Sequence, residues 1–181
     1  VIGYDASGVV EAIGPDVTNF KPGDEVYYAG DITRSGTNQQ FHLVDARIVG
    51  RKPQSLSHAE AAALPLTTIT AYEAFFDRLG IDRNGTNKGQ SILIIGAGGG
   101  VGSIGIQLAK AAGLTVIATA SRPETSAWVT ELGADHVVNH REDMVAQVRA
   151  LAMHHVDHVA IFNDMGHWDT AVELIRPQGG I

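Results

Sequence analysis

The chain has 181 residues, ordinary apolar and charged fractions, no cysteine and a formal net charge of −7. An acidic balance without any run of Lys or Arg argues against nucleic acid or an anionic membrane surface as partner. No apolar stretch approaches the roughly 20 residues that span a bilayer, and without Cys neither disulfides nor thiolate metal ligands arise within these residues. With no leader-like segment at the start, a cytoplasmic setting is the default expectation.

The first 55 residues are rich in β-branched residues and turn signals. Val1-Ile2-Gly3 runs straight into a strand-like pattern, so the chain reads as an internal piece of a longer one. Gly8 to Ile13 predicts a strand closed by Gly14-Pro15-Asp16, and Lys21-Pro22-Gly23-Asp24 predicts a turn, with Pro fixing φ and Gly free to take positive φ. Glu25–Ala29 and Gln40–Val44 predict further short strands.

The texture changes near Ser57. Ser57 and Glu60 have capping-box spacing, Pro65 interrupts the helix that follows, and Thr70 to Leu79 predicts another. From Ser91 onward strands and helices alternate. Strands are expected at Ser91–Ile95, Thr115–Ala120, His136–Asn139 and Asp157–Phe162. Helices are expected at Val101–Ala112, Glu124–Leu132, Glu142–Ala152 and Trp168–Ile175. Met144, Val145, Val148 and Leu151 form one apolar stripe; Trp168, Ala171, Val172 and Ile175 form another. The alternation implies βαβ units and a doubly wound parallel sheet covered on both faces. "RPQGGI" stops where an apolar strand should begin, so the sheet is expected to be incomplete at its C-terminal end.

Between the first strand of this series and its helix stands Gly96-Ala97-Gly98-Gly99-Gly100-Val101-Gly102. In the register of G-x-G-x-x-G the three key positions are Ala97, Gly99 and Gly102. Gly99 would let the backbone touch a pyrophosphate, and Gly102 would let the helix pack closely on the strand. The first-turn amides and the helix dipole favour phosphate there. Gly105 and Ala109 continue the small face. No Gly-Lys-Ser/Thr follows, which excludes a P-loop, and no G-x-S-x-G occurs. Gly98, Gly99, Gly100, Val101 and Gly102 are therefore candidate cofactor contacts.

In order, "GDEVYYAG", "AEAAALPLTTITAYEAFF", "ILIIGAGGGVGSIGIQLAK", "GADHVVNHRED" and "RPQGGI" resemble the medium-chain dehydrogenase/reductases. The resemblance is to their quinone oxidoreductase-like branch, often called zinc-type alcohol dehydrogenase-like, and it covers essentially the whole chain. It implies part of a GroES-like β domain over residues 1–56 and a truncated Rossmann domain over 57–181. The activity it implies is NADPH-dependent reduction of quinones or activated alkenes. Zinc enzymes of that superfamily carry Gly-His-Glu near the start of this region; here the matching stretch is Gly3-Tyr4-Asp5, so Tyr4 replaces a metal ligand and no metal is expected. The resemblance also implies a homodimer formed through the far edge of the sheet. An alcohol or aldehyde dehydrogenase of the same superfamily and a non-catalytic dinucleotide sensor are the alternatives.

The remaining candidates follow from place and resemblance together. Thr70, in Thr70-Ala71-Tyr72, matches a segment near the nicotinamide, and could equally cap a helix. His140 follows the third strand, where ligands collect at carboxyl ends, by the adenine ribose in the resembling family. Asn163 ends the fourth strand and could reach the nicotinamide ribose, with Asp164 capping the next helix. After the second strand, Leu114 to Arg122 holds no acid; Ser121 and Arg122 suit a ribose 2′-phosphate, and Glu124 is explained as a capping-box partner of Ser121. His154, His155 and His158 read as solvated loop residues. No catalytic acid stands out: water or a Tyr could supply the proton, and Tyr4 is the nearest candidate.

Overall fold

The structure, a computed structural model, describes residues 2–181; Val1, the first residue of the expected opening strand-like run, lies outside them. The chain forms two compact units, Val1–Ile69 and Thr70–Ile181. They divide between Ile69 and Thr70, whereas the change of sequence texture lies at 56/57.

The first unit carries a three-stranded antiparallel sheet in the order β1-β2-β3. β1 (Asp5–Val9) pairs with β2 (Glu25–Ala29), which also pairs with the short β3 (Gly50–Arg51). β1 thus starts three residues earlier than expected. Its pairing extends past Val9 through Val10 N–H to Asp24 O and Gly23 N–H to Val10 O. The turn before β2 forms at Lys21-Pro22-Gly23-Asp24, with Gly23 at φ +90°. The buried Asp24 carboxylate accepts from Lys21 Nζ at 2.7 Å and from Arg51 Nη1 at 3.2 Å.

Gln40–Val44 is not a strand. No neighbouring strand offers it a ladder, and its alternate apolar residues Phe41 and Leu43 stay exposed. His42 between them instead binds the Tyr28 hydroxyl at 2.7 Å and the Ser35 carbonyl at 3.0 Å. α1 (His58–Ala62) begins with the expected capping box, in which Glu60 N–H donates to Ser57 Oγ and Ser57 N–H to Glu60 Oε2.

α2 (Pro65–Tyr72) starts with proline at its first position, where the missing N–H costs nothing. Here the expected helix from Thr70 to Leu79 is corrected: Thr70 lies inside α2, and residues Glu73–Arg78 widen into a π-helical turn. Leu79 N–H reaches back five residues to Ala74 O, and Phe75 is fully buried.

The second unit is built on a parallel five-stranded sheet in the order β6-β5-β4-β7-β8. β4 (Ser91–Ile95) is central and buried at every residue. β5 (Thr115–Thr119) and β6 (His136–Val138) lie to one side, β7 (Val156–Ile161) and β8 (Ile175–Gly180) to the other. The intervening helices are α3 (Gly100–Ala111), α4 (Pro123–Glu131), α5 (Met144–Ala150) and α6 (Trp168–Leu174). Alternate strand residues feed two separate cores. Ile92, Ile94, Val116 and Ala118 pack with Ile106, Ala109 and Val129 of α3 and α4. Leu93, Ile95, Ile117 and Val159 pack with Met144, Val148, Ala171 and Leu174 of α5 and α6. A sheet covered on both faces in this strand order is a doubly wound Rossmann-like arrangement.

Three expectations change in this unit. The buried stripe of α6 is Ala171 and Leu174, while Trp168 and Val172 are exposed and Ile175 already belongs to β8. The strand expected only beyond the chain therefore begins within it. It pairs in parallel at Val156↔Ile175 and His158↔Gly180 with an irregularity between, and Gln178 takes φ +62°. His158 is not a loop residue: it lies in β7 and is buried. His154 and His155 are exposed before that strand, as expected.

Candidate functional site

Strand order reverses at β4, since β5 and β6 lie on one side of it and β7 on the other. A crevice opens outside the carboxyl ends at such a point. The turn after β4 occupies it. Gly96 takes φ +81°, donates its N–H to the buried Thr119 Oγ1 at 3.1 Å, and accepts from Gly99 N–H at 3.1 Å.

The glycines of this turn have distinct surroundings. A Cβ at Gly102 would lie 2.5 Å from Gly96 O and 2.6 Å from Ala97 Cα, so only glycine lets α3 sit this close to the turn. A Cβ at Gly98 would run into the Thr125 methyl of α4. A Cβ at Gly99 would meet only Gly96 O at 3.4 Å, an ordinary contact, so the space in front of this residue is open. Gly99 is the N-cap of α3 and brings no capping side chain; Gly100 and Val101 begin the helix, whose first turn holds no acid. Its leading N–H groups are the ones a helix cannot satisfy internally. Gly105 packs further along, where a Cβ would meet Phe75 and Phe162 rings at 3.1 and 3.3 Å.

Several candidates from the sequence meet at this turn. Asn163, exposed just after β7, has its backbone N–H 3.2 Å from where a Gly96 Cβ would stand. Asp164 caps the short 3-10 turn Met165–His167 by accepting from Gly166 N–H at 2.7 Å. On the other side Arg122 Nη2 reaches Thr125 Oγ1 at 3.4 Å, so Thr125 links Arg122 to Gly98. Ser121 is half-buried beside Arg122 at the end of β5. Arg122, not Ser121, is the N-cap of α4 and no side-chain cap forms, so the expected capping box of Ser121 with Glu124 is absent. Pro123 at the first helical position shifts the helix start by one residue and takes Ser121 out of register. Thr70 is exposed inside α2, so the alternative of a helix cap falls.

His140 follows β6, and its ring stands edge-on to His167 with centroids 6.2 Å apart. Burial, then the His167 and Arg141 charges, hold His140 below the usual histidine pKa, so its neutral form is favoured. Thr125 and His167 were missed in the sequence. Thr125 lies against Gly98 and Arg122, His167 stands beside His140, and no local pattern marks either one. Among the described residues, no three His, Asp or Glu side chains group as a metal site, and no helix is long and apolar enough to cross a membrane.

Residues 1–70 match the alcohol dehydrogenase GroES-like domain family and residues 100–181 the zinc-binding dehydrogenase family. The chain belongs to the medium-chain dehydrogenase/reductase superfamily. It is 51% identical over its whole length to the zinc-type alcohol dehydrogenase-like protein of Staphylococcus aureus strain MSSA476, of which it covers 55%. A Rhizobium etli CFN 42 crystal structure, named as a zinc-dependent alcohol dehydrogenase protein, is 57% identical with a TM-score of 0.93; the match covers 99% of this chain and 53% of that one. The Escherichia coli quinone oxidoreductase complexed with NADPH is 27% identical with a TM-score of 0.83, over 98% of this chain and 53% of that one. The chain thus spans about half the length of the relatives it matches.

The dinucleotide implied by this superfamily fits the turn. Open space at Gly99, close packing at Gly102 and an uncapped α3 form a cradle for a pyrophosphate.

Proposed function

We propose that this chain forms the dinucleotide-binding unit and part of the substrate-binding unit of a zinc-independent, NADPH-dependent oxidoreductase. It would pass a hydride to a quinone or an α,β-unsaturated carbonyl. The carrying observation is the turn after β4, where Gly99 faces open space at the start of an uncapped helix while Arg122 stands one residue away through Thr125. Gly98, Gly99, Gly100, Val101 and Gly102 would hold the pyrophosphate. Ser121 and Arg122 would take the 2′-phosphate, His140 would stand by the adenine ribose, and Thr70 and Asn163 would serve the nicotinamide end. Bound NADPH supplies the hydride; these residues fix its position and reject a cofactor that lacks the extra phosphate.

Likeness to the NADPH-bound quinone oxidoreductase supports this reading. The relatives named for zinc and alcohol dehydrogenase favour a second one, an alcohol or aldehyde dehydrogenase. Tyr4 at the metal-ligand position weighs against it. A homodimer working in the cytoplasm belongs to the same proposal. The test uses full-length protein with NADPH and NADH against a panel of quinones, enones and alcohols. NADPH-dependent turnover of quinones or enones is expected. Alcohol oxidation alone, or preference for NADH, would overturn the proposal.

A further inference from the structure

The first unit carries a cluster of side chains that the proposed cofactor site does not use. The register of β1 sets Ser7 opposite Tyr27 of β2, so alternation puts Ser7, Val9 and Glu25 on one face of the sheet. His58, the first residue of α1, reaches that face. Ser7 Oγ stands 2.8 Å from His58 Nδ1, and His58 Nε2 stands 3.4 Å from Glu25 Oε1. The other carboxylate oxygen, Oε2, pairs with Lys52 Nζ at 3.2 Å. That ammonium is itself fixed, donating to Leu56 O at 2.6 Å and to Pro53 O at 3.1 Å.

These contacts select one arrangement of protons. An ionised Glu25 can only accept, so the neutral imidazole carries its proton on Nε2, and Nδ1 is left as an acceptor facing the Ser7 hydroxyl. Val26 O, 3.0 Å from the same Oγ, is the hydroxyl's other acceptor. A hydroxyl, a base within reach of it and a third group that orients the base are the parts of an activated nucleophile, defined by their roles and not by their place in a fold. The ring is reversed from the usual order, with Nδ1 rather than Nε2 toward the serine.

The backbone adds a donor. Gly30 N–H to Tyr4 O and Val10 N–H to Asp24 O bind even-numbered residues of β1 to β2. The Ser7 N–H therefore points away from β2, to the outer edge of a sheet in which β1 is the end strand among the described residues. There the nucleophile's own N–H can meet the oxygen of a carbonyl under attack. The His58 and Glu25 side chains are 42% and 51% exposed, and Val9 is 58% exposed, so a small ester can approach and find apolar surface beside Ser7.

We propose that Ser7, His58 and Glu25 form a second site, which transfers short acyl groups from activated carboxylic esters to water. Ser7 Oγ adds to the ester carbonyl carbon while its proton passes to His58 Nδ1, and Glu25 orients and stabilises the imidazolium. The C–O bond to the alcohol portion then breaks, and that oxygen takes the proton from His58. Water adds to the acyl-Ser7 ester and gives a proton to His58. The bond to Ser7 Oγ breaks, the carboxylic acid leaves, and the proton returns to Ser7. No electrons are gained or lost, so this site is independent of the oxidoreductase reading.

The experiment treats full-length protein with a fluorophosphonate, which forms an Oγ–P bond and expels fluoride, and separately with p-nitrophenyl acetate. Mass spectrometry is expected to place the phosphonyl group on Ser7. Ser7→Ala should lose both the label and ester hydrolysis. His58→Gln should slow both by about 100-fold. Glu25 is a positioning residue: Glu25→Gln should slow both by less, with part of the loss recovered in Glu25→Asp, which keeps a carboxylate. Absence of label from Ser7 in wild type, or wild-type rates in Ser7→Ala or His58→Gln, would overturn the proposal. The label is read on wild type, so the test stays decisive even where a variant fails to fold.

Discussion

Gly99 and Gly102 are three positions apart, yet their surroundings differ. At Gly102 the obstacle is the protein itself, since a Cβ would press on Gly96 O and Ala97. Gly102→Ala should therefore unfold more easily, by about 1–3 kcal/mol of overpacking, measured by denaturant titration. At Gly99 nothing in the chain blocks a side chain. Gly99→Val should stay folded with wild-type stability and lose NADPH binding. A Gly99→Val that still binds NADPH would show the turn to be structural only. In the proposed reading Arg122 separates the two cofactors. Among the described residues its one side-chain hydrogen bond, to Thr125 Oγ1 at 3.4 Å, is long, so the guanidinium has donors to spare. A charge-assisted hydrogen bond is worth about 1.5–3 kcal/mol. Arg122→Ala should then weaken NADPH about 10- to 100-fold and leave NADH nearly unchanged. Equal losses for the two would refute the assignment. The close packing at Gly102 was legible because the motif fixes its spacing from the strand. The neighbours of Thr125 and His167 were not, because Thr125 meets Gly98 and His167 meets His140 only once α4 and the segment before α6 fold against other elements.

Among the elements, β4, β2 and the Ser57 capping box could be read from sequence nearly to the residue. Continuous apolar runs and paired polar signals specify them locally. β8 could not, because Pro177, Gly179 and Gly180 have low strand propensity and only the edge of β7 makes them a strand. The same edge explains His158. Its Nε2–H donates to Gln90 Oε1 at 3.0 Å, and its Nδ1 is buried without a partner among the described residues. Protonation would place a second N–H where no acceptor waits. Burial is the main cause of a pKa below the usual histidine value; Asp157 opposes it and Arg176 adds to it. The folded state thus favours neutral imidazole, while the unfolded chain takes up a proton near its ordinary value of about 6.5. Stability from this residue is complete above that pH and is lost as pH falls through the lower folded pKa. Thermal unfolding between pH 8 and pH 5 should show a steeper decline for wild type than for His158→Gln, which cannot titrate. Parallel curves would mean that the site does not sense protons.

At the scale of the whole molecule, the superfamily could be read from the ordered motifs, and the doubly wound order of the second unit followed from alternation of strands and helices. Metal content has to be argued from chemistry, because relatives named for zinc share about half or more of their aligned residues with this chain. Zinc sites in proteins use Cys, His, Asp or Glu, and a catalytic site has three such protein ligands plus an open position. Cysteine is absent from these residues, and the position matched to a histidine ligand is Tyr4. The neighbouring Asp5 is committed, since its Oδ1 accepts from Leu66 N–H at 2.8 Å. Ligands elsewhere in the full protein would have to hold the ion one short, with water in place of the missing imidazole, and such a site binds far more weakly. Full-length protein purified from zinc-supplemented medium should therefore hold well under one zinc per chain by elemental analysis. A strong chelator should leave NADPH-dependent turnover unchanged. About one zinc per chain, with activity lost on chelation and restored by zinc alone, would overturn the metal-free reading and favour an alcohol dehydrogenase.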